Sequence, residues 1–335
     1  MKKYVNLFVF VFMIGACLSQ GRAQTKSAVS YKNPVVDIAM PDPTVIKAAD
    51  GYFYVYATES TRNVPIMKSK DLVEWTYCNT AFTNKTRPRF EPKAGIWAPD
   101  INYINGKYVL YYAMSVWGGE QTCGIGVATA NSPQGPFTDH GKMFRSNEIG
   151  VQNSIDPSLL QYEGRNYLVW GSFRGIYVIE LTADGLSIMP GAKKKRIAGT
   201  AFEAAYIHKH GDYYYMFASI GSCCEGIRST YKVVVGRSKK VWGPYKDKSG
   251  KPMLKNGYSL VIGANDHFVG NGHGSQIIQD DAGQDWLLYH GFSRSTPENG
   301  RILLLDQIKW DQEGWPYVEG GSPSYETQKA PVFNN

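Results

Sequence analysis

The chain has 335 residues, of which 19% are charged and 13% aromatic, with 35 Gly, 23 Tyr and 8 Trp. So aromatic and turn-rich a composition excludes an intrinsically disordered chain and argues against a helical repeat. A formal charge of +7 is too mild to call for a nucleic-acid partner, and five cysteines are too few for a disulfide scaffold in a chain of this length.

The N-terminus reads as an export signal. Lys2 and Lys3 precede an apolar run over residues 7–18, which is too short to span a bilayer. Two processing points compete. Ile14, Gly15, Ala16 and Cys17 have the shape of a bacterial lipobox, which would leave a lipid-modified Cys17. Gly21, Arg22 and Ala23 offer a small-x-small site, making residues 1–23 the signal peptide. Either route gives export from a bacterial cell, as a periplasmic, cell-surface or secreted protein. Membrane contact is then expected only through a lipid at Cys17. In an exported protein the basic run Lys193, Lys194, Lys195 and Arg196 is a solvated loop, and no nucleic-acid partner is expected.

The mature chain repeats itself. Five segments begin at Met40, Trp97, Ser154, Phe202 and Gly272. Each has an acid or histidine in a short Pro/Gly/Ala motif, then an apolar strand, a turn and a Tyr/Trp-rich strand. The anchors Asp42, Asp100, Asp156, Glu203 and His273 lie 58, 56, 47 and 70 positions apart. Apolar alternation bounded by Asp-Gly, Asn-Gly and Gly-Asp turns predicts antiparallel hairpins. Four short strands per unit, five times over, predict an all-β chain folded as a five-bladed β-propeller over residues 33–325. A jelly roll or sandwich also has many short strands, but it does not explain why each unit opens on the same anchor.

In a propeller the first strand of each blade lines the central channel, so the anchors converge on one mouth. Each Asp-Pro taken singly reads as readily as a turn residue capping nearby amides. Together, carboxylates in a funnel of Trp and Tyr suit a sugar polymer. Inverting glycoside hydrolysis uses one protonated acid and one ionised base that activates water. Glu203, framed by Phe202, Ala204 and Ala205, suits the acid, because burial raises a carboxylate's pKa.

At these residues the chain resembles glycoside hydrolase family 43. The resemblance rests on Met40-Pro41-Asp42-Pro43, Trp97-Ala98-Pro99-Asp100, Ser154-Ile155-Asp156-Pro157, Phe202-Glu203-Ala204-Ala205-Tyr206 and Gly272-His273. It implies that Asp42 is the general base, Asp156 a pKa-modulating and orienting aspartate, and Glu203 the general acid. Cys223-Cys224-Glu225-Gly226, Ser229-Thr230-Tyr231-Lys232 and Val235-Gly236-Arg237-Ser238 are most similar to the endo-α-1,5-L-arabinanases. That likeness implies sugar contacts at Asp42, Trp97, Asp100, Asn153, Ser154, Ile155, Asp156, Ser172 and Phe173. It also implies a calcium-associated site near His273, with no organic cofactor. The expected substrate is an arabinan or arabinoxylan-type polysaccharide of plant cell walls.

The chain departs from the family in having Ala205 where relatives often carry Pro, and Arg174 where they often carry Trp. The second change points toward a decorated or acidic glycan. An exo-α-L-arabinofuranosidase or β-xylosidase of the same family, and a non-catalytic glycan-binding propeller, are the competing functions. His208 and His210 alternate on one strand face with no third ligand in sight, and are read as surface or strand-lining residues.

Overall fold

The computed structural model describes Met1 and residues 29–334. The expected signal peptide and Cys17 lie outside the described residues. Five four-stranded antiparallel units follow one another around a ring, as the repeat predicts. Blade one runs from Thr44–Lys47 to Thr76–Thr80, blade two from Gly95–Ile104 to Thr138–Arg145 and blade three from Ser158–Tyr162 to Lys195–Ala198. Blade four runs from Glu203–His210 to Ser259–Ile262.

Hairpins form where the sequence supplies residues tolerant of positive φ. Asn105 and Gly106 (φ 48° and 81°) join the first two strands of blade two, a conformation that favours Asn-Gly.

Blade five takes its outermost strand from the other end of the chain. Its order is Phe268–Gly272, Asp285–Ser293, Ile302–Trp310 and then Val36–Ala39, so the N-terminal strand closes the ring. Asn33 fastens the seam. Its Nδ2 donates to the Leu305 carbonyl (2.9 Å) and to Asp306 Oδ2 (3.2 Å), while its Oδ1 accepts from the Leu305 amide (2.9 Å). The sequence places the start of the fifth unit at Gly272. The structure instead ends its innermost strand there, and the short Ile278–Gln279 strand continues the pairing beyond His273.

The cores lie between blades. Tyr108, Leu110, Tyr112 and Met114 pack toward blade one, whereas Val109 and Tyr111 on the same strand pack toward blade three. In blade five Leu287 and Tyr289 face blade four, and Trp286 and Leu288 face blade one. Each inner strand is therefore buried on both faces, which is why it reads as an almost unbroken apolar run. With every blade wedged between two others, the polar motifs at the strand ends are held at one mouth.

Candidate active site

At that mouth each innermost strand bends. Asp42, Ala98, Asp156, Ala204 and His273 all have positive φ, between 41° and 56°. These five residues are the structurally equivalent positions, one per blade. A left-handed residue withdraws its amide from the strand ladder, and a buried amide needs another partner. Four of the five find one in a side chain. Asp42 N–H donates to His290 Nδ1 (3.0 Å), Ala98 N–H to Thr58 Oγ1 (2.6 Å), Ala204 N–H to Asp156 Oδ2 (3.0 Å) and His273 N–H to Ser219 Oγ (2.9 Å).

Asp42 is the most heavily charged-paired carboxylate. Arg301 donates to its Oδ1 at 2.8 Å, His273 Nδ1 lies 3.2 Å from the same oxygen, and Thr58 donates to Oδ2 at 2.6 Å. Burial raises its pKa, but Arg301 and then His273 outweigh burial and hold it well below the usual carboxylate range. His290 Nδ1 also lies 3.3 Å from Oδ1. That ring accepts the Asp42 amide proton, and burial and then Arg301 push its pKa well below the usual range, so it fixes the Asp42 backbone without adding charge.

Glu203 and Asp156 behave in the opposite way. Burial raises Glu203, even though Ser172 Oγ donates to its Oε2 at 2.6 Å and Tyr231 also donates to it. Burial, together with the charges of Glu203 and Asp42, pushes Asp156 up to about 7 despite His273. His273 is raised, because Asp42 and the other two carboxylates overcome the burial that would lower it. The mouth thus sets one carboxylate whose pKa is held low, Asp42, against two whose pKa burial raises, Asp156 and Glu203, with the His273 ring among them.

Asp42, Asp156, Glu203 and His273 open into a cleft of about 800 Å³. Trp97, Asn153, Ile155, Ser172 and Phe173 also line it. Asn153 Nδ2 donates to Ser172 Oγ (3.0 Å), which in turn holds Glu203. The ring of Trp97 leans on that of Trp117 at 5.5 Å. Trp117 is 79% exposed and was missed in the sequence, where it lies just outside the second repeated segment. Cys223 and Cys224 are joined in a disulfide that lines the same cleft. Arg301, Thr58 and His290 were also missed, whereas Tyr231 lies in the Ser229-Thr230-Tyr231-Lys232 motif noted above.

Two expected sugar contacts lie elsewhere. Asp100 sits two residues beyond the true blade-two equivalent, Ala98, and so one layer deeper. There it accepts from Gln276 Nε2, Asn102 Nδ2 (2.6 Å), Leu159 N–H (2.8 Å) and Thr44 Oγ1 (3.4 Å), and burial pushes it up to about 7. It ties the inner strands together and does not line the cleft. Ser154 is fully buried, donating to the Val151 carbonyl (2.8 Å) and accepting from Trp170 Nε1 (3.1 Å).

Arg174 does not offer a free cation to an acidic glycan. Its Nε and Nη2 grip both oxygens of Glu120 at 3.0 and 2.9 Å. His208 and His210 lie at the other end of the Glu203–His210 strand, where blade five supplies the third group, Asp285, that the sequence did not reveal.

Calcium takes six to eight oxygen ligands. The carboxylates that act on His273 are Asp42, Asp156 and Glu203; Asp42 is committed to Arg301 and Thr58, one oxygen of Asp156 to the Ala204 amide and one of Glu203 to Ser172. These side chains do not form a cage of six to eight free oxygens.

A five-bladed propeller with one carboxylate of lowered pKa and two of raised pKa in an aromatic cleft defines a glycoside hydrolase. The family model for "Glycosyl hydrolases family 43" matches residues 31–316, and the chain belongs to that family. It is 37% identical over 290 residues to the extracellular endo-α-(1→5)-L-arabinanase 1 of Bacillus subtilis, covering 82% of this chain and 86% of that one. It is 36% identical over 307 residues to the extracellular exo-α-(1→5)-L-arabinofuranosidase ArbA of Cellvibrio japonicus, covering 83% and 86%. Among solved structures, the Cellvibrio cellulosa α-L-arabinanase complexed with arabinohexaose superposes with a TM-score of 0.77 at 33% identity, covering 86% of this chain and 98% of that one. The family 43 endo-arabinanase of Bacillus licheniformis gives 0.74 at 32% identity, covering 87% and 100%.

Proposed function

We propose that this protein is an exported glycoside hydrolase that cleaves α-1,5-L-arabinan internally and with inversion. The observation that carries the reading is the split in carboxylate chemistry across the cleft. Asp42 is the general base. Its Oδ1 is taken by Arg301 and His273, while Oδ2 accepts from Thr58 and keeps a lone pair for a water molecule. Glu203 is the general acid, its pKa raised by burial and its carboxyl held against the wall by Ser172 and Tyr231. Asp156 tethers the amide of Ala204, the residue next to the acid, and so orients it. Its negative field and that of Glu203 oppose each other, so the pair holds a proton near neutral pH.

In this reading Trp97 and Trp117 stack against sugar rings on one side of the bond and the sulfurs of Cys223 and Cys224 form an apolar wall on the other. A cleft walled on both sides of the acids suits the middle of a chain. The relatives named endo-arabinanases support arabinan, and two relatives named extracellular support export. A calcium ion beside His273 would add positive charge near the carboxylates, and no bond-breaking step passes through it.

Reducing ends released from linear arabinan test the activity, and chromatography of the products tests the mode. Mixed oligosaccharides are expected early in the digest. Arabinose alone would favour the exo reading that the Cellvibrio japonicus relative exemplifies, and no release by the wild type alongside glycan binding would leave a lectin.

A further inference from the structure

Far from the cleft, at the opposite end of the inner strands, three metal-ligating side chains meet across the seam between blades four and five. His208 and His210 are two apart on the strand Glu203–His210 and therefore share a face. Asp285 opens the strand Asp285–Ser293 of the next blade. One ligand atom from each of the three lies within 4.8 Å of the others, and His210 Nδ1 is 3.7 Å from Asp285 Oδ2.

The group is built rather than fortuitous in its surroundings. Asp285 is buried, and both its oxygens are oriented: Trp310 Nε1 donates to Oδ2 at 2.7 Å and Gln279 Nε2 to Oδ1 at 3.2 Å. Carboxylates that bind metals are commonly fixed by such outer partners. The indole of Trp310 also lies parallel to the His210 ring, with centroids 3.7 Å apart and planes 8° from coplanar, and faces His208 at 6.2 Å and 20°. Among the described residues, neither imidazole has a hydrogen-bond partner beyond the ion pair of His210 with Asp285. His210 is 37% exposed, so an ion can enter from solvent.

We propose that His208, His210 and Asp285 bind a borderline-soft divalent cation of the zinc type, which clips blade four to blade five. Two imidazoles and one carboxylate suit zinc, copper or nickel, whereas calcium and magnesium prefer oxygen alone. Ligand atoms on one zinc ion stand about 3.3 Å apart in tetrahedral geometry, so the three groups need to close by about an ångström or so. Water completes the coordination. Glu203 is five residues from His208 on one strand, and His290 five from Asp285 on the other. Along extended chain each is roughly 17 Å away, so the ion acts on the ring's stability and takes no part in glycoside cleavage.

The test uses the mature chain without a histidine tag, freed of metal by a chelator and titrated with zinc and with cobalt(II). Calorimetry should find one zinc per chain, and cobalt should show the visible absorption of a low-coordinate nitrogen/oxygen site. At zinc a hundredfold above its dissociation constant the Tm should rise by about 4 °C, with kcat/KM on arabinan unchanged. His210→Gln and Asp285→Asn should abolish uptake and the Tm rise. His210→Gln alters a partly exposed side chain, so it keeps the test valid if Asp285→Asn fails to fold. Zinc uptake should survive His273→Gln, which separates this site from the cleft. No uptake by the wild type would mean that the rings merely pack on Trp310. Equal uptake by wild type and both variants would place the zinc on other histidines, such as His140 or His267. Either outcome overturns the proposal.

Discussion

Asp42 is ionised by residues that share no motif with it. Arg301 is 259 positions away and His290 is 248 positions away, and both reach it only because the last blade closes against the first strand. Their absence from the sequence reading follows from that separation, whereas the Asp-Pro and Phe-Glu-Ala motifs were visible because the repeat marks them. The charge of Arg301 lowers the pKa of Asp42, so removing it must raise that pKa and leave the base protonated over a wider acid range. Arg301→Met is therefore expected to move the acidic limb of the kcat/KM profile to higher pH; an unmoved limb would show that Arg301 does not tune the base. Ser172→Ala removes a donor that favours ionised Glu203. The basic limb should move to higher pH, with the acidic limb unchanged, and a pH series on arabinan checks both.

At the scale of the strand, the kink at each channel mouth sets which side chain faces the sugar. The sequence aligned Asp100 with Asp42 because both are acids in a Pro motif, but strand geometry aligns Ala98. A shift of two residues keeps the same face and changes the depth, so Asp100 passed the alternation test and still left the cleft. Thr58 shows how a kink is held: its hydroxyl accepts the Ala98 amide and donates to Asp42. Thr58→Val should leave that buried amide unpaired, at a cost of about 1–3 kcal/mol. It should also lower kcat, through the lost contact to the base. Urea denaturation and steady-state kinetics measure the two effects separately, and a change in neither would mean the kink is held by packing alone.

For the whole molecule, the blade count was legible because turns and aromatic strands recur at regular intervals. The closing strand was not, since Val36–Ala39 is four residues long and its partner, Ile302–Trp310, is at the far end of the chain. Closure also positions the chemistry. Met40 N–H donates to the Arg301 carbonyl at 2.9 Å, so the seam that completes the ring also sets Asp42 beside Arg301. Asn33→Ala should cost about 1–3 kcal/mol, since it strips partners from the buried Leu305 amide and carbonyl. Its Tm should fall while kcat at low temperature stays near wild type. A loss of kcat without loss of Tm would contradict a role in closure.

The central claim is that Asp42 and Glu203 divide the labour of base and acid, and leaving-group dependence tests it most directly. Turnover of linear arabinan and of an activated aryl α-L-arabinofuranoside would be measured for wild type, Asp42→Ala and Glu203→Ala. Asp42→Ala is expected to lose about 10²–10⁴-fold on both substrates, because water must be activated in either case. Glu203→Ala should lose a similar factor on arabinan but far less on the aryl glycoside, whose leaving group needs little protonation. Equal losses by the two variants on the aryl substrate would contradict the assignment.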